Sequence, residues 1–290
     1  METYSGRSEV FASKADIENI TKTLVEELIE ASGSHSKNGK CDYSDVMLAK
    51  LERIKQSIPV WGMESLPIEA ADLDRRSNMF GGVPYTSEKH LWPLNDELNP
   101  YYPLIQLDLS NISVLCSKNF GSGLLQVWLD VSDSELPSII RTIDLDEMHG
   151  DPLQDAPSIE SIQKVDASGI WFCISSKLIF KFMGHMLAHW GDSDVEWDSE
   201  RDLSDKEEAI LNRLGELSEA HGYRSLSVNW LMGYPDRGSG SPAGRYVPEP
   251  MNLIQFAKSD AFPLVDASCY ANIFYSDEDG DATYSFDWNG

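Results

Sequence analysis

Few residues in this 290-residue chain have types and spacings that suggest chemistry, and each can be weighed against what its chemistry requires. His185 and His189 stand four apart, which on a helix puts two imidazoles on one face, as a metal pair requires. No third histidine is near in sequence, Met186 replaces the Glu that serves as base in metalloproteases, and Asp192 or Asp194 would have to complete the set. The stretch Gly33 to Cys41 looks like a phosphate loop. It has five residues between glycines instead of four, Cys41 in place of the magnesium-binding hydroxyl, and a helix where the motif needs a preceding strand. Gly121-Ser122-Gly123 and Gly238-Ser239-Gly240 lack the spacing of a nucleophile elbow. Neither a catalytic residue nor a metal site nor a cofactor is expected, and the expectation is a protein that is not an enzyme.

Charge is the stronger signal. With 23 basic and 48 acidic residues the net charge is −25, which argues against nucleic acid and anionic membrane as partners. The acids cluster: residues 191–208 hold nine with two bases, residues 130–160 nine with one, and residues 277–287 five with none. Such carboxylates repel one another, and either solvent or a basic partner surface relieves that cost. On the second alternative Asp192, Asp194, Glu196, Asp198 and Glu200, with Trp190 and Trp197 as apolar anchors, and Asp277, Glu278, Asp279 and Asp281 form the docking surface. The acidic stretch from Asp277 to Asp281 does not fit a calcium loop.

The elements that position these residues read as mixed. Apolar Ile17, Ile20, Leu24 and Leu28 predict a helix over 16–31, with Ser13 and Asp16 as its capping box. Val46, Leu51, Ile54 and Ile58 predict a second, stopped by Pro59, so the N-terminal segment 1–76 reads as a helical hairpin packed on the body. Helices are also expected over 178–190 and over 205–221, the latter capped by Ser204 and Glu207. Strands are expected over 104–109, 124–130, 159–165, 170–174, 253–257 and 271–275.

An internal repeat links these strands. Gly82-Val83-Pro84-Tyr85, then Pro103 to Leu107, then Leu125 to Asp130, match in order Gly233-Tyr234-Pro235-Asp236, Asn252 to Phe256 and Asn272 to Asp277. The expected fold class is α+β: two related, intertwined β-rich repeats (about 79–130 and 231–277) forming one sheet body over 77–290, covered by helices. Gln106 and Gln255 fall at equivalent places. Each either ties down a neighbouring loop or, with Tyr85 and Tyr234, lines a cleft between the repeats for a small molecule or peptide.

These same blocks, Met79 to Tyr85, Trp92-Pro93, Pro103 to Leu109, Gly123 to Asp130, Leu231 to Pro235 and Asn252 to Phe256, resemble the YwqG-like family. The resemblance implies an α+β body with intertwined repeats. Some members are similar to immunity proteins that neutralise a bacterial toxin in the cytoplasm, which implies a cognate toxin with a basic surface, for example a nuclease, as partner. The N-terminus has no apolar core of signal-peptide length, and Cys41, Cys116, Cys173 and Cys269 are widely spaced. A cytoplasmic protein with reduced thiols is expected.

Overall fold

The computed structural model describes residues 14–41, 43–55, 57–67, 74–130, 137–149, 152–153, 176–187, 202–221, 229–232, 251–257, 270–278 and 281–289. The expected strands 159–165 and 170–174, the cap Ser13, and Cys173 and Cys269 lie outside these residues. The chain divides into two units, 1–61 with 182–226 and 232–247, and 62–181 with 227–231 and 248–290.

The first unit is built on helices α1 (Lys14–His35), α2 (Asp45–Ile54) and α4 (Asp205–His221). On α1 the buried positions Ile17, Thr21, Val25, Leu28 and Ala31 recur every three or four residues, which is the stripe a helix needs to bury one face. Val25, Leu28 and Ala31 meet Met47, Leu51 and Ile54 of α2 and Ile210, Leu211 and Leu214 of α4 in one apolar cluster. The N-terminal helices therefore share their core with α4 as a third helix. The α4 start is capped as expected: the Glu207 carboxylate accepts from the Ser204 amide (2.9 Å) and hydroxyl (2.7 Å), and also from the Tyr43 hydroxyl (3.0 Å). Those three donors are what let a carboxylate sit fully buried there.

The second unit carries the sheet. Its strands are β1 (Ser57–Pro67), β2 (Met79–Phe80), β3 (Tyr102–Asp108), β4 (Leu124–Leu129), β5 (Ser138–Ile143), β6 (Ser176–Leu187), β7 (Trp230–Met232), β8 (Met251–Ala257), β9 (Tyr270–Glu278) and β10 (Asp281–Asn289), with β1 and β6 continuing into the first unit. Their order is β10-β9-β8-β7-β1-β6-β2-β3-β4-β5, and the sheet bends until edge strands β5 and β10 meet, nearly closing a barrel. The fold is thus α+β with a large antiparallel sheet. Residues 178–187, expected as the start of a helix, are strand β6 instead: Ser176 and Leu178 are buried while Lys177 and Ile179 are exposed, a two-residue period. The second expected helix also stops earlier, at Ile54, and Ser57 already belongs to β1.

Two runs of strands pair in chain order, β2-β3-β4-β5 and β7-β8-β9-β10. In the first, Gln106 opposes Gln126 and a bulge lies between Pro103 and Ile105. In the second, Gln255 opposes Asn272 and a bulge lies between Asn252 and Ile254. Gly81 after β2 and Met232 ending β7 both have positive φ, 62° and 65°.

Helix α3 (Leu109–Cys116) follows β3 directly. Asp108 caps it by accepting from the Asn111 amide at 3.1 Å, and Ser117 ends it in a left-handed conformation (φ 51°). Cys116 is a free thiol that burial pushes up to about 12. The loop from α3 to β4 is held from the far edge of the sheet. Tyr275 of β9 donates to the Asn119 carbonyl (3.1 Å), Tyr284 of β10 donates to that of Phe120, and the Phe120 ring stands edge-on to Tyr275 at 4.9 Å. Gly123 closes the loop at φ +85°, where a Cβ would sit 2.0 Å from the Ile143 carbonyl oxygen.

Two outcomes follow. Gly123→Ala must move backbone on β5 as well as adopt a disfavoured φ, and is expected to lower stability by about 3 kcal/mol or more in urea unfolding; a loss under about 1 kcal/mol contradicts this packing. Burial, and secondarily Tyr275, raise the Tyr284 pKa above its ordinary 10.0. The neutral phenol is favoured by the fold, so its contribution is complete below about pH 10 and shrinks as pH rises beyond it. The stability difference between wild type and Tyr284→Phe is expected to stay constant up to about pH 10 and to narrow above it, measured by urea titration; a constant difference above about pH 10 contradicts it.

Candidate functional site

The polar cluster of this chain is assembled where the chain reverses after β2. Gly81 and Gly82, at φ 62° and 73°, turn the backbone so that residues 83–86 fold back over β3 and β4. The Gly81 amide donates to the Leu104 carbonyl at 2.9 Å. Antiparallel register sets Gln106 directly opposite Gln126, so their amides share one face of the sheet beneath this segment.

Gln106 is 1% exposed and spends its whole amide. Its Oε1 accepts from the Tyr85 backbone N–H (2.9 Å) and from Gln126 Nε2 (2.7 Å), while its Nε2 donates to the carbonyls of Arg75 and Ser77 at 3.0 Å each. Gln126 Nε2 also donates to the Tyr85 carbonyl (2.8 Å), and its Oε1 accepts from Arg141 Nε (2.7 Å). Two side-chain amides therefore bind both polar groups of the Tyr85 backbone, which fixes the returning loop to the sheet.

Two guanidiniums flank that pair. Arg75 gathers carbonyls: Nε donates to Val83 (3.2 Å) and Pro84 (3.1 Å), Nη2 to Pro84 (2.7 Å) and the Thr86 hydroxyl (2.9 Å), and Nη1 to Leu153. Burial lowers its pKa, and Tyr85 opposes that shift. Arg141 of β5 stacks over the fully buried Trp128 ring, 5.0 Å from its centre, and Nη1 donates to the Leu91 carbonyl at 2.7 Å. Desolvation alone brings Arg141 down to about 10. Neither arginine makes an ion pair among the described residues, in a chain with 48 carboxylates.

The segment from Thr86 to Tyr101 covers this face. Trp92 donates to the Tyr101 carbonyl (2.9 Å) and meets Trp128 edge-on at 4.9 Å, and Asn95 Nδ2 donates to the buried Asp130 carboxylate (2.9 Å). At its start His90 faces Glu147 at 3.1 Å, with Lys89 at 3.6 Å from the same carboxylate.

Of the residues read from sequence, Tyr85 and Gln106 come together here, whereas Gln255 is buried on β8 opposite Asn272. Tyr234 lies outside the described residues, as do Trp190, Asp192, Asp194, Glu196, Trp197, Asp198, Glu200, Asp279 and His189. Asp277 is exposed at the end of β9, and Glu278 and Asp281 form the closing pair of the β9–β10 hairpin. His185 stands on strand β6, not on a helix, beside the Phe182 ring at 5.6 Å; burial first, then Lys14, lower its pKa, against Glu18. Among the described residues no group of three His, Cys, Asp or Glu is placed to hold a metal ion. Sequence reasoning passed over Arg75 and Arg141, and gave no role to Gln126 and Trp128. The signal for Gln126 was its place on the strand paired with Gln106; the arginines carried none.

A family described as a domain of unknown function, DUF1963, matches residues 78–278, which take in the whole Gln106–Gln126–Arg141 network. The chain belongs to the DUF1963 family. No curated protein matches it. In this DUF1963 chain the two glutamines act as tethers. Gln106→Leu removes the acceptor of the buried Tyr85 amide and the donor to two partly buried carbonyls, and is expected to cost about 3 kcal/mol in urea unfolding. A near-neutral result contradicts the tether.

Proposed function

We propose that this DUF1963 chain is a capture protein that binds a basic partner through fixed carboxylates, and specifically a cytoplasmic immunity protein that neutralises a cognate bacterial toxin without turnover. The observation that carries the reading is the β9–β10 hairpin. Nine consecutive register pairs hold it, from Tyr270–Asn289 to Glu278–Asp281, and its tip brings Asp277, Glu278, Asp279 and Asp281 together in sequence with no base between them. Asp277, Glu278 and Asp281 stand on paired backbone, and in a chain of net charge −25 the surrounding field draws a cation-rich surface toward them.

Other support is associational. The blocks of residues 79–130 and 231–256 resemble the YwqG-like family, some of whose members are similar to immunity proteins. We also read β2–β5 and β7–β10 as its two repeats. Their matching strand order, the bulge two residues before each Gln, at Leu104 and Leu253, and the positive φ that follows or ends the first strand of each support that. Among the described residues, no helix is long and apolar enough to cross a membrane.

The test is co-expression with the toxin encoded beside this gene, followed by stopped-flow association of the purified pair. Rescue of growth and a stoichiometric complex are expected. Asp277→Lys/Glu278→Lys/Asp281→Lys should slow association at least tenfold at low salt and flatten its salt dependence. The parallel reversal of Asp194, Glu196, Asp198 and Glu200 reports on the second acidic cluster. Unchanged killing with no complex overturns the proposal, and an unchanged on-rate in the hairpin variant removes the hairpin from the interface.

A further inference from the structure

On the face of β4 and β5 that carries Gln126 and Arg141, buried polar atoms are left over: Arg141 Nη2, the Trp128 indole N–H and the Tyr85 hydroxyl. Arg141 Nη2 and the Trp128 indole N–H are both shut off from solvent, and neither has an acceptor among the described residues. Leaving such groups without a partner destabilises the fold, and more so for a charged group. Neighbouring polar groups show that the fold can satisfy its donors here: Gln106 and Gln126 spend their amides, and Arg75 finds four acceptors. Arg141 and Trp128 are in contact, the guanidinium lying over the indole ring at 5.0 Å.

We propose that Arg141 and Trp128 form a binding site for a carboxylate, supplied by a small organic acid. Arg141 Nη2 and the Trp128 N–H are donors only, so a ligand that meets them must accept. One is cationic, so the acceptor is best an anion. The guanidinium is a planar fork that matches a carboxylate, and one positive charge balances one negative charge without the second cation a phosphate dianion calls for; Arg75 has its donors committed to carbonyls and the Thr86 hydroxyl. Two neighbours preset the fork. Gln126 Oε1 holds Nε at 2.7 Å, and the Leu91 carbonyl holds Nη1 at 2.7 Å, the position a second carboxylate oxygen takes when the 87–101 segment lifts. That segment carries three leucines already exposed, Leu91, Leu94 and Leu98, the last at φ +66°, so the apolar contact that lifting it gives up is the edge-on packing of Trp92 on Trp128. The chain's own acids do not fill the role: desolvation is the sole cause of the lowered Arg141 pKa, with no carboxylate contribution opposing it. This site is independent of the acidic hairpin and takes ligands of opposite charge.

The experiment is an NMR titration of the whole chain, following the Trp128 indole N–H, assigned by its loss in Trp128→Phe. Acetate and succinate are added at constant ionic strength, with acetamide and chloride as controls, and an acidic peptide with amidated terminus as a third arm. Expected is a saturable shift of the Trp128 signal with acetate and succinate, absent with acetamide and chloride, weakened at least tenfold in Arg141→Lys and lost in Arg141→Met. The Lys variant keeps the charge and reads the fork even where the Met variant fails to fold. No shift in the wild type, an equal shift with chloride, or undiminished saturation in Arg141→Lys overturns the site; saturation by the peptide alone overturns the small-acid ligand.

Discussion

The second unit depends on one arrangement, two glutamine amides facing each other across β3 and β4. Once register sets Gln106 against Gln126, each buried amide must find two kinds of partner, and the backbone of Tyr85 supplies both. The returning loop is therefore not an ornament on the sheet but the means by which the sheet's own polar groups are satisfied. Everything outward of it is positioned in turn: Arg141 is aimed by Gln126, the 87–101 segment by Arg141 and Asp130, and the Trp92–Trp128 contact by that segment.

The opposite end of the sheet solves a different problem. Edge strands β5 and β10 meet, and the α3–β4 loop is fixed by tyrosine hydroxyls from β9 and β10. Bonds between residues about 160 apart in sequence thus join the two strand runs.

How much of this the sequence discloses depends on the range of the interaction. The helices α1 and α4 are legible because their apolar stripes and the Ser204–Glu207 box are local. Strands β3, β4, β8 and β9 are legible from β-rich runs between Gly and Pro. Strand β6 is not, because Ile179, Phe182 and Met183 are exposed although apolar, so in sequence the run Leu178 to Leu187 mimics a helix. Likewise nothing local announces that α4 packs on α1 and α2, or that Arg75 and Arg141 converge on one pair of amides from residues 66 apart.

The tether itself is open to direct test by amide hydrogen exchange at Tyr85, whose N–H lies on a loop outside any strand and bonds to a side chain only. The account predicts that this amide exchanges as slowly as those of β3 and β4, opening only with global unfolding. Exchange at the rate of an ordinary surface loop, with the strands still protected, would contradict it.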